Sequence, residues 1–298
     1  MAKIDVAINV LGKPYQTTLT LVSLLRHSWK HIDRIYLAEE AANSPGQSEG
    51  LSYVKEKLRA KLTVFNPRYC HWIRSVDPEK LADDDVRLAV RYQYAWEHSD
   101  KDRLLVIHND CHFRGDVVGA MLEAMGDAVA IGDVGACMGC PAHYAGKCGK
   151  GRHLDYRPGL EELTALYAAH DYSGPHHVSP MHESLFNEKF RSHPWPLPPC
   201  RVNEWCALVD LKAARPLTMP LGSGSPLGAI TAMGEYALDT GAEWFHDMHV
   251  LGLRAAHFPV EEYLLHGCGH HSMLDPGVYR ANEEKARTLL RREYNIDF

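Results

Sequence analysis

The chain has no run of lysines and arginines and none of the common phosphate-binding fingerprints, and each absence narrows its function. A net charge of −6 without a basic run argues against a protein that grips nucleic acid or an anionic membrane through a positive patch. The Lys- and Arg-free stretch Gly115–Gly146 still carries Asp116, Glu123, Asp127 and Asp133, which bars it from a bilayer core. Met1-Ala2-Lys3 leads straight into an apolar strand pattern, without the regions of a signal peptide, so a cytoplasmic, reducing setting is the expectation. No G-x-G-x-x-G follows the first strand, and Gly146–Arg152 only superficially resembles a P-loop. His182-Glu183 lacks the second histidine of a zincin helix, and Gly222-Ser223-Gly224-Ser225-Pro226 is not a nucleophile elbow.

What is present is an alternation of strand and helix patterns. Ile4–Val10 reads as a buried strand, broken by Gly12-Lys13-Pro14. Thr17 and Thr18 are candidate caps of a helix turning Leu19, Val22, Leu25 and Trp29 to the core. Ile32–Leu37, Leu62–Phe65, Leu104–Ile107, Ala128–Ile131, Cys206–Leu211 and Ala255–Val260 read as further strands. Helical spacing is predicted after Leu51, from Asp83 to about His98, over Val117–Met125, around Ile230–Leu238, from Ala242 to Leu251 and over Ala281–Tyr294. Such alternation predicts an α/β fold with a mostly parallel central sheet and helices on both faces, a Rossmann-like arrangement that gathers ligands at the carboxyl ends of its strands. With no internal repeat and no long linker, residues 1–298 read as one domain carrying a Gly-, Pro-, His- and Cys-rich insertion over 135–200.

Two clusters carry metal chemistry. The first is His108-Asn109-Asp110-Cys111-His112, leaving an apolar strand. Asp110 and His112 are two apart, so both can face one side and hold a divalent cation; equally, Asp110 can cap the next turn and His112 sit on the surface. The second is Cys137-Met138-Gly139-Cys140 with Cys148 and Cys200, a thiolate set suited to a structural zinc ion or to an iron–sulfur cluster. The insertion is poor in apolar residues, so a metal would supply order that packing cannot. Cys206, inside an apolar strand, fits the core better than Cys200 does, and Cys70, Cys111 and Cys268 stand apart.

The order of these features resembles the GT-A glycosyltransferases, particularly the broad family 2 type. Ile4–Leu11, Thr17–His27 and Ile35–Glu40 match that family's opening strand, helix and second strand, and His108–His112 lies where its D-x-D metal motif falls, with Asn109 or His108 in place of the first acid. The resemblance implies a nucleotide-sugar donor bound near Leu11, Lys13, Glu39, Arg91, Asn109 and Asp110, assisted by Mn²⁺ or Mg²⁺ on Asp110 and His112. It implies that His266-Gly267-Cys268-Gly269-His270-His271 supplies further ligands through His266 and His270. The general base it implies is Asp239, with Glu235 and Glu204 behind it; each of these acids can also be a cap or a surface carboxylate. Lys13 and Arg91 can face the diphosphate, and Arg91 can equally be an exposed helical arginine. Two other readings remain open. One is a hydrolase with a catalytic zinc on His112, His266 and His270; the other is a non-catalytic protein whose zinc-binding insertion is a recognition surface.

Overall fold

Strands form where β-branched and apolar residues alternate, and the tertiary context then chooses their partners. A computed structural model describes residues 3–40, 49–70, 76–137, 140–169, 187–233, 236–267 and 275–298. Its strands are β1 Ile4–Val10, β2 Ile32–Glu39, β3 Leu62–Phe65, β4 Arg103–Ile107, β5 Cys111–Phe113, β6 Ala130–Val134, β7 Val202–Asp210, β8 Thr231–Met233, β9 Tyr236–Leu238, β10 Ala255–His257 and β11 Leu264–His266. Seven of them make one sheet in the order β10-β6-β7-β4-β1-β2-β3. The sheet is parallel except at β7, which runs antiparallel to both β4 and β6. This is the expected α/β, Rossmann-like class in a single domain.

The two faces of the sheet show why it needs helices on both sides. Val6, Ile8, Ile35, Leu37, Leu105, Ile107 and Leu208 pack with Leu21, Leu24, Val117 and Met121 on one face. The intervening residues Ala7, Tyr36, Leu104, Val106, Ala207 and Val209 pack with Trp96, Trp244, Phe245 and Met248 on the other. The two-residue period of a strand therefore feeds two separate cores. Among the described residues no helix is long and apolar enough to cross a membrane.

Several elements differ from the sequence expectation, each for a local reason. Helix α1 spans Pro14–Ser28, with proline in its first turn and left-handed Lys13 as its cap residue. Thr17 and Thr18 thus lie inside the helix, their hydroxyls donating back to the carbonyls of Lys13 and Pro14 at 2.7 and 3.0 Å. Trp29 leaves the core and is 53% exposed in a following 3₁₀ turn. The predicted helix from Asp83 to His98 is two short helices, Asp84–Leu88 and Gln93–His98, separated at Tyr92, which has φ 65°. The pattern around Ile230–Leu238 is an antiparallel pair, β8 and β9, with Thr231 opposite Leu238, not a helix. Nine residues with Gly234 among them are too few to distinguish the two periods.

The insertion contradicts the expectation that it lacks a core. Ala142, Leu163, Tyr167, Phe190 and Leu197 form an apolar cluster with Leu238 and Ala242 of the main body. Lys189 ties the same region down, its Nζ lying 2.8 Å from Asp247 and also bonded to Glu243 on the helix Ala242–Val250.

One helix start carries a pH-dependent contribution. Asp116 caps the helix Val117–Ala124, its carboxylate accepting from Gly119 N–H (3.0 Å) and Ser28 Oγ–H (2.7 Å). Burial opposes its ionisation, but these bonds, with Lys30 and His31, bring its pKa down to about 2. Because the folded value lies below the unfolded one, the stabilisation is full above about pH 4 and is lost as pH falls through about 2. Asp116→Ala is expected to cost about 1–2 kcal/mol at neutral pH. Urea titrations at neutral pH and near pH 2 check this: the gap between variant and parent should shrink at the acid end.

Candidate functional site

The carboxyl ends of β1 and β4 meet at a turn built from two left-handed residues, Gly12 (φ 60°) and Lys13 (φ 54°). That conformation is costly for lysine, and surrounding bonds hold it. Asn109 Nδ2–H donates to Gly12 O and to Thr17 Oγ1, both at 3.2 Å, and Lys13 N–H donates to Tyr279 Oη at 2.9 Å. The turn aims the Lys13 side chain inward, where Nζ lies 2.7 Å from Asp110 Oδ2 with both groups nearly buried. Asn109 is thereby spent on the turn, and Leu11 is half-buried just ahead of it.

A second strand pair completes the group. β5 and β11 run antiparallel with Cys111 opposite His266, and Gly267 N–H donates to Asp110 O at 2.8 Å. His266 Nε2 comes within 3.2 Å of Asp110 Oδ1, and its ring stacks on the Trp205 indole at a centroid distance of 4.9 Å. His108 Nδ1 lies 3.2 Å from the same His266 nitrogen. Among the described residues, His108, Asp110 and His266 are the one set of three whose ligand atoms all lie within 4.8 Å of one another.

Glu204 completes the constellation from behind. It lies on β7, 4% exposed, with Oε1 3.2 Å from His108 Nε2. A carboxylate accepting from one imidazole nitrogen fixes the tautomer and leaves the other nitrogen free to ligate, the arrangement common behind metal-bound histidines. Burial would raise the Glu204 pKa, but the His108 bond and the charges of His108, Arg201 and Arg91 bring it down to about 2. Asp110 likewise resists burial: the bond from His266 and the Lys13 charge hold its carboxyl well below the usual range. One carboxylate and two imidazoles, with a carboxylate behind, is a mixed oxygen and nitrogen donor set that could hold a divalent metal cation.

The remaining expected residues divide. His112 does not join Asp110, because residues 109–110 form a turn and the two-residue alternation begins only at β5. Its Nε2 lies instead 3.3 Å from Tyr294 Oη on the last helix, Pro276–Tyr294. The three-histidine set of a hydrolase is therefore not assembled from His112 and His266; His270 and Glu235 lie outside the described residues. Asp239 is an exposed carboxylate following β9, held by Arg201 Nη2 at 2.7 Å. Arg91 is not on an exposed helix. It pairs with Gly228 in an isolated bridge, and its Nη1 reaches Thr240 Oγ1 at 3.4 Å. A Cβ on Gly228 would stand 1.9 Å from the Arg91 carbonyl oxygen, so glycine is needed for this approach. Glu39 pairs with Lys55. The four cysteines Cys137, Cys140, Cys148 and Cys200 surround a separate small cavity.

Sequence reasoning did not assign His108, Glu40, Arg201 or Trp205. His108 had a signal: His-x-Asp at a strand end is D-x-D with an imidazole in the first place. Glu40 is buried at the end of β2, where it accepts from Asn9 Nδ2–H at 2.9 Å and burial raises its pKa. Nothing in the sequence separates it from its neighbour Glu39. Beside Asp110 and His266 opens a cavity of about 720 Å³, with Arg26, Arg114, Lys285 and Arg292 on its walls.

No protein-family profile and no curated protein matches this sequence. Comparison with solved structures finds partial similarities. The mannosyltransferase PcManGT from Pyrobaculum calidifontis, in complex with GDP-Man and Mn²⁺, is similar over 98% of this chain and 70% of its own, at 10% identity and a TM-score of 0.42. The galactosyltransferase LgtC, in complex with donor and acceptor sugar analogs, is similar over 71% of this chain at 11% identity and a TM-score of 0.36. This chain spans 59% of the length of LgtC. GalNAc-T7 with UDP, GalNAc and Mn²⁺ is similar over 45% of this chain and 23% of its own, at 14% identity and a TM-score of 0.31.

Proposed function

We propose that the chain transfers a sugar from a nucleoside-diphosphate sugar to an acceptor hydroxyl, with Mn²⁺ or Mg²⁺ held by His108, Asp110 and His266. The observation that carries this reading is the convergence of those three ligands at the carboxyl end of β4, beside Lys13, where an α/β sheet gathers its ligand. A cation held by these residues would supply positive charge against the departing diphosphate. Lys13 balances the second oxygen of Asp110, and Arg91, placed near both Glu40 and Glu204, supplies a further positive charge facing the crevice. Asp239 takes the acceptor hydroxyl proton as the new carbon–oxygen bond forms and the bond to the diphosphate breaks. Glu204 orients His108, and Arg201 links that carboxylate to Asp239 along one edge of the site.

The test is thermal unfolding of the purified chain with each nucleoside diphosphate, with and without Mn²⁺. A matched nucleotide at about 100 times its Kd should raise Tm by roughly 5 °C, and only with the metal present. Stabilisation by metal alone, with no nucleotide adding to it, would set the proposal aside in favour of metal-dependent hydrolysis.

A further inference from the structure

The cysteines of the insertion come from three separated segments and meet at one place. Cys140 N–H donates to Cys137 O at 3.2 Å, which holds these two cysteines close together. Cys148 is brought back by its N–H to Ala142 O at 3.2 Å, and Cys200 follows a turn closed by its N–H to Leu197 O at 2.8 Å. A bond from Gly135 N–H to Arg201 O, 2.8 Å, fastens the start of the insertion beside its end. All four cysteines line one cavity of about 20 Å³. Gly135 has φ 119°, and a Cβ there would lie 3.1 Å from the Cys137 sulfur, so a side chain at this position would crowd the thiol. No three of the four sulfurs fall within 4.8 Å of one another, so they stand wider than a bound ion would hold them.

We propose that Cys137, Cys140, Cys148 and Cys200 bind one structural zinc ion, distinct from the cation site on His108, Asp110 and His266. Drawn together by an ion, four thiolates from three separated segments would close a tetrahedral site, which leaves no open position for catalysis. The apolar cluster of the insertion includes Cys140, with Cys148 and Cys200 packed against it, so packing brings three of the four thiols to one place. Cys206 is excluded: it is fully buried in β7 opposite Ile107. The ion also has a structural consequence for the main site. Cys200 is followed by Arg201, whose guanidinium holds Asp239, so the zinc would anchor the start of β7, the strand that follows Arg201 and carries Glu204.

Elemental analysis of the full chain should find about one zinc per chain, and X-ray absorption at the zinc edge should show four sulfur neighbours at roughly 2.3 Å. Cys200→Ser should lose most of the zinc and lower Tm by roughly 5 °C or more. Cys206→Ala and His143→Ala should keep the metal, although His143 also lines the cavity. If Cys200→Ser fails to fold, mercurial titration of the parent protein decides: zinc should be released as about four thiols react. Absence of zinc, the visible absorbance of an iron–sulfur cluster, nitrogen and oxygen neighbours instead of sulfur, or zinc retained in Cys200→Ser would each overturn the proposal. Each of these readouts reports on the thiols alone, and none requires a nucleotide.

Discussion

Asp110→Ala is expected to abolish Mn²⁺-dependent nucleoside-diphosphate binding, a loss of at least about 100-fold in affinity, the upper range for disturbing even the groups behind a metal ligand. Asp110 is the only carboxylate of the three-residue group, so its removal leaves two imidazoles to hold the cation. The same change strands Lys13, which is 6% exposed, without its partner. Breaking one side of a buried pair costs about 3–5 kcal/mol, so Tm should fall as well. Asp110→Asn with Lys13→Met separates the two effects: it removes both charges, should recover much of the stability, and should still fail to bind metal. Calorimetry with Mn²⁺ and nucleotide checks both variants. Unchanged affinity in Asp110→Ala would take this residue out of the metal site and leave the non-catalytic reading of the chain in the stronger position.

Asp239→Asn carries the second large expectation. The amide keeps the bond from Arg201 but removes the proton acceptor, so turnover should fall by roughly 100-fold or more while donor binding persists. Glu204→Gln should behave differently. It weakens the hold on His108, so the loss should appear as about 10- to 100-fold weaker metal binding, partly recovered at high Mn²⁺. Turnover measured against Mn²⁺ concentration distinguishes the two variants. Full turnover in Asp239→Asn would move the base to Glu204 or Glu235. Parallel metal dependence in both variants would mean that Asp239 also acts through the metal site.

The sequence by itself determined the elements with a long or unambiguous period. Ile4–Val10 and Leu62–Phe65 form strands with the expected bounds, because Ile4, Val6, Ile8 and Val10, and again Leu62 and Val64, recur at the two-residue period of a strand. It also located the strand end at Asp110 and the histidine segment at His266. It could not say that these two would meet, since 156 residues separate Asp110 and His266 and their approach depends on β5 pairing with β11. The same holds for the ligands themselves. Alternation along an extended chain would put Asp110 and His112 together, but a turn at 109–110 breaks the period and puts His108 there instead. Short elements were illegible for a related reason: β8, β9 and the break at Tyr92 are set by neighbours such as Asn9, whose Oδ1 accepts from Tyr92 N–H at 3.0 Å. Local propensity is worth a few tenths of a kcal/mol per residue, and long-range pairing exceeds that sum in three-residue elements such as β8 and β9.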